Sequence, residues 1–287
     1  SKPQIINGLE YTGTISIDLK SGLVQEGTLS RPQTLKVKAG TIVAMAKGVS
    51  FHEDGSVKSA KLQDNQTIQG IKCQHGEEAT FYKGGILESA FLSEDQQIKT
   101  SVGVLNARQG ASIRFSPGGT PTQVPLKGNQ AIRVSPDLSI ECRDNSDLLF
   151  FEKGDVRGGV LSRDAVIKGF YLIGGHLSPP YTRRRGIQMH FSPVTFYPGA
   201  KLASGILAGP QTIDGVAYDG REFIQWHDNG RVHTGVLTAD TRFGNQNIKA
   251  GSCVVLDRSG KLERAYAPGK FEVYLGPEHH IEIRPLQ

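Results

Sequence analysis

The segment F-H-E-D-G-S-V-K-S-A-K-L at residues 51–62 decides the fold, because its pattern returns along the whole chain. Its Gly55 marks a turn that recurs eight times in 287 residues, and each repeat is numbered below from this turn residue, t. The spacings between successive turn residues are 33, 30, 34, 35, 46, 30 and 30. A fixed pattern with a period near thirty predicts a stacked repeat array. The turn residues are Gly22, Gly55, Gly85, Gly119, Gly154, Ala200, Gly230 and Gly260.

On both sides of the turn, apolar and polar residues alternate as they do in the strands of a β-hairpin. Phe51 lies at t−4 and Val49 at t−6, and most other repeats carry apolar residues at both positions. This period of two indicates a half-buried strand. After the turn, t+2 is apolar, t+5 is small and t+7 is leucine in seven of the eight repeats. Because these offsets do not share one parity, we predict a bulge or a close backbone contact near t+5.

The turn residues and a further apolar position complete the predicted repeat. Pairs such as Asp54-Gly55 predict type I′ turns, whereas Gly199-Ala200 predicts a type II′ turn. An apolar residue at t+13, such as Ile68, predicts a third short strand. We therefore predict an all-β protein of eight three-stranded repeats, forming one array over residues 1–287. Its architecture is an elongated antiparallel β-meander or a β-solenoid. The tight turns favour the meander, and a propeller is less favoured because its blades need about forty residues.

Composition restricts the possible functions only loosely. The formal net charge of +5 permits anionic partners, but no dense stripe of lysine and arginine follows the repeats, which disfavours nucleic acid. No apolar run is long enough to span a membrane, so we expect a soluble protein. The chain begins with Ser1 rather than Met, so its N-terminus can be a processed one, and its localisation stays open. No catalytic, metal-binding or cofactor-binding motif is present, so catalytic residues remain unknown and no cofactor or metal is predicted.

The cysteines follow the repeat rather than a metal-ligand pattern. Cys73 and Cys142 both lie at t−12, a position that holds Val43, Ala107 or Ile248 in other repeats. An apolar position that sometimes carries cysteine predicts a small buried side chain. We therefore expect neither a metal site nor a disulfide from these residues.

Ring-bearing side chains recur at t−3 in four repeats. This position is the outward neighbour of the buried strand residue, which predicts an exposed aromatic stripe. Such a stripe can bind a glycan or another flat ligand, or it can be ordinary cross-strand pairing on a solvated face. The residues of the predicted stripe are His52, Tyr82, Tyr197 and His227.

One insertion interrupts the repeat at residues 175–193. Insertions into repeat arrays form loops on one face, which is often the binding face. Three consecutive arginines in this loop predict an anion site, because guanidinium groups match carboxylate and phosphate geometry. The alternative is a solvated loop without a ligand. The candidate ligand-binding residues are His176, Tyr181, Thr182, Arg183, Arg184, Arg185 and His190.

The segment 51–62, with its relatives at 81–92 and 226–237, resembles the MORN-type repeats of bacterial YwqK-like proteins. Members of that family carry an aromatic residue, an Asn/Asp-Gly turn and a following apolar residue in a β-hairpin. The resemblance covers the hairpin half of each repeat, whereas the period near thirty and the third strand depart from the family. It implies a rod-like β-array that binds proteins or membranes, sometimes as an antitoxin partner, and it implies no catalytic residues.

These observations favour a non-enzymatic scaffold or binding module. It would present a β-surface and the arginine-rich loop to a protein or to an anionic ligand. One alternative is an enzyme that acts on an extended polymer, such as a polysaccharide, with its site under the loop at 175–193. Another is a structural envelope or surface protein. An enzyme would need the loop to converge with carboxylates or histidines of neighbouring repeats.

Overall fold

The computed structural model describes residues 2–38, 40–175, 193–220, 222–275 and 281–285. Within these ranges the chain forms strands, turns and loops and no helix. The described strand pairings are all antiparallel, so the predicted all-β antiparallel meander is confirmed. The strands are β1 (Gln4–Ile6), β2 (Leu9–Ile17), β3 (Val24–Leu29), β4 (Gln33–Val37), β5 (Gly40–Phe51), β6 (Val57–Leu62), β7 (Gln66–Ile68), β8 (Ile71–Cys73), β9 (Glu78–Phe81), β10 (Leu87–Phe91), β11 (Gln96–Thr100), β12 (Gly103–Ala107), β13 (Ser112–Phe115), β14 (Pro121–Pro125), β15 (Gln130–Ser135), β16 (Leu138–Cys142), β17 (Asp147–Phe150), β18 (Val156–Val160), β19 (Ala165–Ile167), β20 (Phe170–Leu172), β21 (Pro193–Tyr197), β22 (Lys201–Ile206), β23 (Gln211–Ile213), β24 (Val216–Tyr218), β25 (Phe223–Trp226), β26 (Val232–Val236), β27 (Thr241–Phe243), β28 (Gln246–Ile248), β29 (Cys253–Leu256), β30 (Leu262–Tyr266), β31 (Phe271–Leu275) and β32 (Ile281–Pro285).

The chain divides into two compact bodies. The N-terminal body comprises Ser1–Gly128 and Leu149–Gly154, and the C-terminal body comprises Asn129–Leu148 and Asp155–Gln287. In the N-terminal body the main strands neighbour one another in the order β1, β2, β3, β5, β6, β9, β10, β13 and β14. In the C-terminal body the order is β18, β21, β22, β25, β26, β29 and β30. Chain order and spatial order therefore agree within each body, while a single array over residues 1–287 stays a prediction.

Each complete repeat contains two hairpins rather than the three strands predicted. In the repeat around Gly85, β9 and β10 form the main hairpin, and β11 then pairs with β12. A third strand is present, but the residue at t+13 lies inside it or at its end rather than opening it, as Ile68 ends β7, and the strand pairs at once with a fourth. The fourth strand is three to five residues long in most repeats, too short to show a period of its own. The short hairpins are β7–β8, β11–β12, β15–β16, β19–β20, β23–β24 and β27–β28.

The turns of the main hairpins differ from the predicted type. At Asp54-Gly55, the Gly55 N–H donates to the His52 carbonyl at 2.8 Å, and Gly55 has a φ of 79° while Asp54 has no positive φ. The glycine therefore follows a type I turn as a bulge residue instead of occupying its centre. Gly199 and Ala200 both have positive φ, 78° and 59°, so the type II′ prediction is also wrong.

Within each body, one register joins each repeat to the next. The residue at t+4 lies opposite t−5 of the following repeat, and t+5 lies opposite t−6, as in Ser59 with Thr80 and Ala60 with Ala79. The same offsets relate β10 to β13, β22 to β25 and β26 to β29. Because side chains alternate along a strand, this register places t+5 on the buried side and t+4 on the outward side in each repeat.

The small residue at t+5 lies where a short hairpin packs closely against the main sheet. A Cβ added at Gly235 would lie 2.5 Å from Cδ1 of Tyr218, and one added at Gly205 would lie 3.0 Å from Cδ1 of Leu172. The pairing of β9 with β10 also shifts register between Leu87 and Ser89. The predicted bulge and the predicted close contact are both confirmed, with the bulge at t+3.

The leucine at t+7 joins five of the short hairpins to the following main hairpin. Leu92 forms a β-bridge with Cys73, and Leu161 forms one with Cys142. Both cysteines are free and fully buried, and burial raises the pKa of each thiol to about 12. The prediction that they are small buried side chains is confirmed.

A glutamine at t+11 links successive repeats by its side-chain amide. Gln66 accepts the Val43 N–H at 2.7 Å through Oε1 and donates to the Val43 carbonyl at 2.8 Å through Nε2. This pair of bonds imitates the exchange between two residues of an antiparallel ladder. The equivalent pairs join Gln33 to Glu10, Gln96 to Lys72 and Gln211 to Tyr171. This contact was not predicted, although glutamine recurs at t+11 in the sequence.

Candidate functional site

The residues predicted to bind an anion lie outside the described residues. This applies to His176, Tyr181, Thr182, Arg183, Arg184, Arg185 and His190. Gly175, at the start of the insertion, is described, and its N–H donates to the Leu161 carbonyl at 2.8 Å. The anion site and the enzyme alternative that depends on this loop both stay predictions.

The four rings of the predicted stripe are half-buried rather than fully exposed. Each ring bonds a backbone carbonyl of the next repeat: His52 Nε2 lies 2.8 Å from the Phe81 oxygen, and His227 Nε2 lies 2.9 Å from the Leu256 oxygen. The Tyr82 and Tyr197 hydroxyls donate to the same position, at 2.9 and 3.0 Å. Burial raises the pKa of both tyrosines, which keeps them protonated donors. The stripe therefore connects repeats, and its role in ligand binding stays a prediction.

The outward side of β2, β3, β5, β6, β9 and β10 forms a polar surface, here called the open face. Neighbouring strands place hydroxyl and carboxylate side chains opposite one another along a row. Two hydroxyl pairs hydrogen-bond within this row, Ser50 with Ser59 at 2.9 Å and Thr80 with Ser89 at 2.8 Å. Adjacent members of the row are separated by about 4.8 Å, the spacing of neighbouring strands. The row consists of Ser16, Glu26, Ser50, Ser59, Thr80 and Ser89.

Two shallow depressions lie side by side on the open face. The larger has a volume of about 580 Å³, and Lys47, Lys61 and Glu78 line it beside the hydroxyl row. The smaller has a volume of about 340 Å³, and His52, Lys58 and Lys83 line it. Glu26 and Ser50 line both, so the two depressions adjoin. Together they offer a continuous shallow surface for an extended ligand.

The charged side chains of the open face form no ion pair with any described residue. No such ion pair is formed by Lys47, Lys61 or Glu78, even though Lys61 and Glu78 are direct cross-strand neighbours. On the short hairpins, by contrast, lysines pair with carboxylates. The pairs include Lys72 with Glu94 at 2.6 Å, Lys168 with Asp137 at 2.8 Å and Lys249 with Asp240 at 2.7 Å. The charges of the open face thus remain available to a ligand.

The same positions have a different chemistry in the C-terminal body. There t+6 and t−7 hold Ile206, Phe223, Val236 and Cys253, which form a buried cluster with Phe271 of β31. In the first repeats of the N-terminal body these positions hold Thr28, Gly48, Lys61 and Glu78, all of them at least partly exposed, whereas its later repeats carry Phe91 and Pro125 at t+6. The same register therefore carries an apolar, covered surface in the C-terminal body and a polar, accessible surface in the first repeats of the N-terminal body.

The open face carries hydroxyl, ammonium and carboxylate groups that can form hydrogen bonds. The described residues contain no group of three or more potential metal ligands. None of the described residues belongs to a helix long and apolar enough to cross a membrane. Family models and curated proteins were both compared with the chain, and none of them matches it.

Proposed function

We propose that the chain is a non-enzymatic binding module whose open face receives an extended polymeric partner. The observation that supports this is the contrast at t+6 and t−7, where the N-terminal body exposes Lys61 and Glu78 and the C-terminal body buries Ile206 and Phe223. The backbone register is the same in both bodies, so the fold does not require polar residues at these positions. Their chemistry is therefore available for recognition.

The unpaired charges strengthen this proposal. A charged group that forms no ion pair can exchange water for a ligand hydroxyl or charge without first losing such a pair. The shape of the open face also supports the proposal, because a shallow and continuous surface accommodates an extended chain better than a compact small molecule. A binding contribution from the loop at 175–193 adds to this proposal and is not required by it.

Affinity electrophoresis tests the proposal directly. The protein migrates through native gels that contain a neutral β-glucan, a neutral α-glucan, polygalacturonate, heparin or poly-L-glutamate. A face variant, Lys61→Gln with Glu78→Gln, is compared with a control variant, Lys72→Gln with Glu94→Gln. Both variants remove one positive and one negative charge, so their net charges are equal. The control removes an exposed ion pair that is worth about 0–1 kcal/mol at most.

Retardation of the wild type and the control by one polymer, with loss of retardation in the face variant, would support the proposal. Equal retardation of all three proteins would contradict it, as would no retardation by any polymer. The same incubations are assayed for new reducing ends. Their release from a retained glycan by the wild-type protein would overturn the non-enzymatic part and favour the enzyme alternative.

A further inference from the structure

We infer that the ligand of the open face is a neutral glycan, an inference that rests on the proposed function. The first support is the balance of donors and acceptors. The ammonium groups of Lys47 and Lys61 act as donors, the carboxylates of Glu26 and Glu78 act as acceptors, and serine and threonine hydroxyls lie between them. A sugar hydroxyl donates and accepts at the same time, so it fits a surface on which both kinds of partner alternate.

Polyanions and polycations fit this surface less well. A polyanion bound along the row would approach Glu26 and Glu78, and like charges brought together cost binding free energy. A polycation would meet Lys47 and Lys61 in the same way. The open face therefore favours a ligand without net charge, because its lysines and glutamates form no ion pair with described residues. Such a ligand accepts hydrogen bonds from the lysines and donates hydrogen bonds to the glutamates.

The spacing of the hydroxyl row is the second support. Ser50 and Ser59 form one hydroxyl pair, and Thr80 and Ser89 repeat it one unit further along the sheet. Successive pairs lie two strands apart, about 9.5 Å. A polymer of regular repeat that crosses the strands therefore meets the same hydroxyl groups again at this interval.

Retardation of the protein in gels that contain neutral glucans, compared with gels that contain heparin, tests this inference. We expect a neutral glucan to retard the wild-type protein at both low and high salt, because no counterions are released on binding. The face variant should have a dissociation constant at least about tenfold higher, a loss of roughly 1.4 kcal/mol. Thermal unfolding of each variant, followed by far-UV circular dichroism of the whole chain, shows that it remains folded.

The alternative outcomes separate this inference from the proposed function. Face-dependent retardation by heparin, polygalacturonate or poly-L-glutamate, with none by a neutral glucan, would overturn the glycan inference and leave the binding module in place. Retardation by a neutral glucan that is unchanged in the face variant would overturn the placement on this face. Retardation by no polymer would overturn both proposals.

Discussion

Replacing Gly235 with alanine tests the packing of a short hairpin on the main sheet. No positive φ is recorded for Gly235, so alanine meets no backbone strain there. The added Cβ would instead lie 2.5 Å from Cδ1 and 2.8 Å from Cε1 of Tyr218, a ring that is 1% exposed. Carbon atoms in contact normally lie about 3.5–4.0 Å apart, so the ring must move by about 1 Å or the strand must shift.

The expected cost is the sum of two opposing effects. Overpacking of this kind costs about 1–3 kcal/mol. Replacing glycine with alanine lowers the entropy of the unfolded chain and returns about 0.4–1 kcal/mol. We expect Gly235→Ala to lower the free energy of unfolding by about 1–2 kcal/mol, which corresponds to a fall in Tm of roughly 2–8 °C.

Denaturant unfolding followed by Trp226 fluorescence measures this effect, because Trp226 pairs with Val232 on the strand that carries Gly235. Gly48→Ala is the matched control, since Gly48 also lies in a strand and no heavy atom would lie within 4 Å of its added Cβ. The control should be neutral or slightly stabilising. Equal stability of Gly235→Ala and Gly48→Ala would refute the steric argument.

A double variant tests the cause of the effect. At the positions equivalent to Tyr218 and Gly235, another repeat carries Cys73 and Ala90, so a smaller residue at t−12 accompanies alanine at t+5. In the Tyr218→Cys background, Gly235→Ala should therefore cost much less than in the wild type. The coupling between the two changes should exceed about 0.5 kcal/mol. Purely additive effects would show that Tyr218 is not the obstacle.

Three further predictions follow from single contacts. Gln96→Ala removes both amide bonds to Lys72 and should destabilise the protein by about 1 kcal/mol in denaturant unfolding; no change would show that water replaces them fully. The hydrogen bond from Lys168 lowers the pKa of Asp137 to about 2, so its contribution to stability is present above about pH 4 and is lost as the pH falls to 2. Lys168→Met should raise the pKa of Asp137 in an NMR titration, and an unchanged value would contradict the pairing. Burial raises the pKa of the Cys142 thiol to about 12, so a thiol reagent should modify Cys142 only after denaturation, and rapid labelling in the native state would contradict its burial.

The main hairpins were predictable because their signal is apolar and periodic. Phe51 at t−4, the glycine at t and the leucine at t+7 are each fixed by burial or by backbone conformation, so they recur at constant offsets. Only the first strand of each short hairpin was predicted. The second was not, because strands of three residues, such as β7 and β8, contain too few positions to show alternation. Turn type was wrong because the Asp54-Gly55 pair alone does not show which residue begins the turn.

The contacts between repeats were harder to predict than the strands. Gln66 lies on a polar position, and only the backbone of the previous repeat shows why an amide belongs there. The ring of His52 was placed correctly on the outward side, but its exposure depends on the Phe81 carbonyl of the next repeat. The open face was missed for a related reason. Its polar residues were scattered in sequence, and only the register brought Glu26, Ser50 and Ser59 into one row.

The repeat itself indicates where function can be located. Positions t, t+5 and t+7 serve the fold in nearly every repeat, and the glutamine at t+11 does so in several, so substitutions there change stability first. Positions t+6 and t−7 have the same strand register in both bodies. They nevertheless hold Lys61 and Glu78 in the N-terminal body and Ile206 and Phe223 in the C-terminal body. A fold that tolerates both sets does not determine the choice between them. Lys61→Ile should therefore leave stability nearly unchanged while it removes a ligand contact, so its effect on binding, separated from folding, measures what the open face contributes.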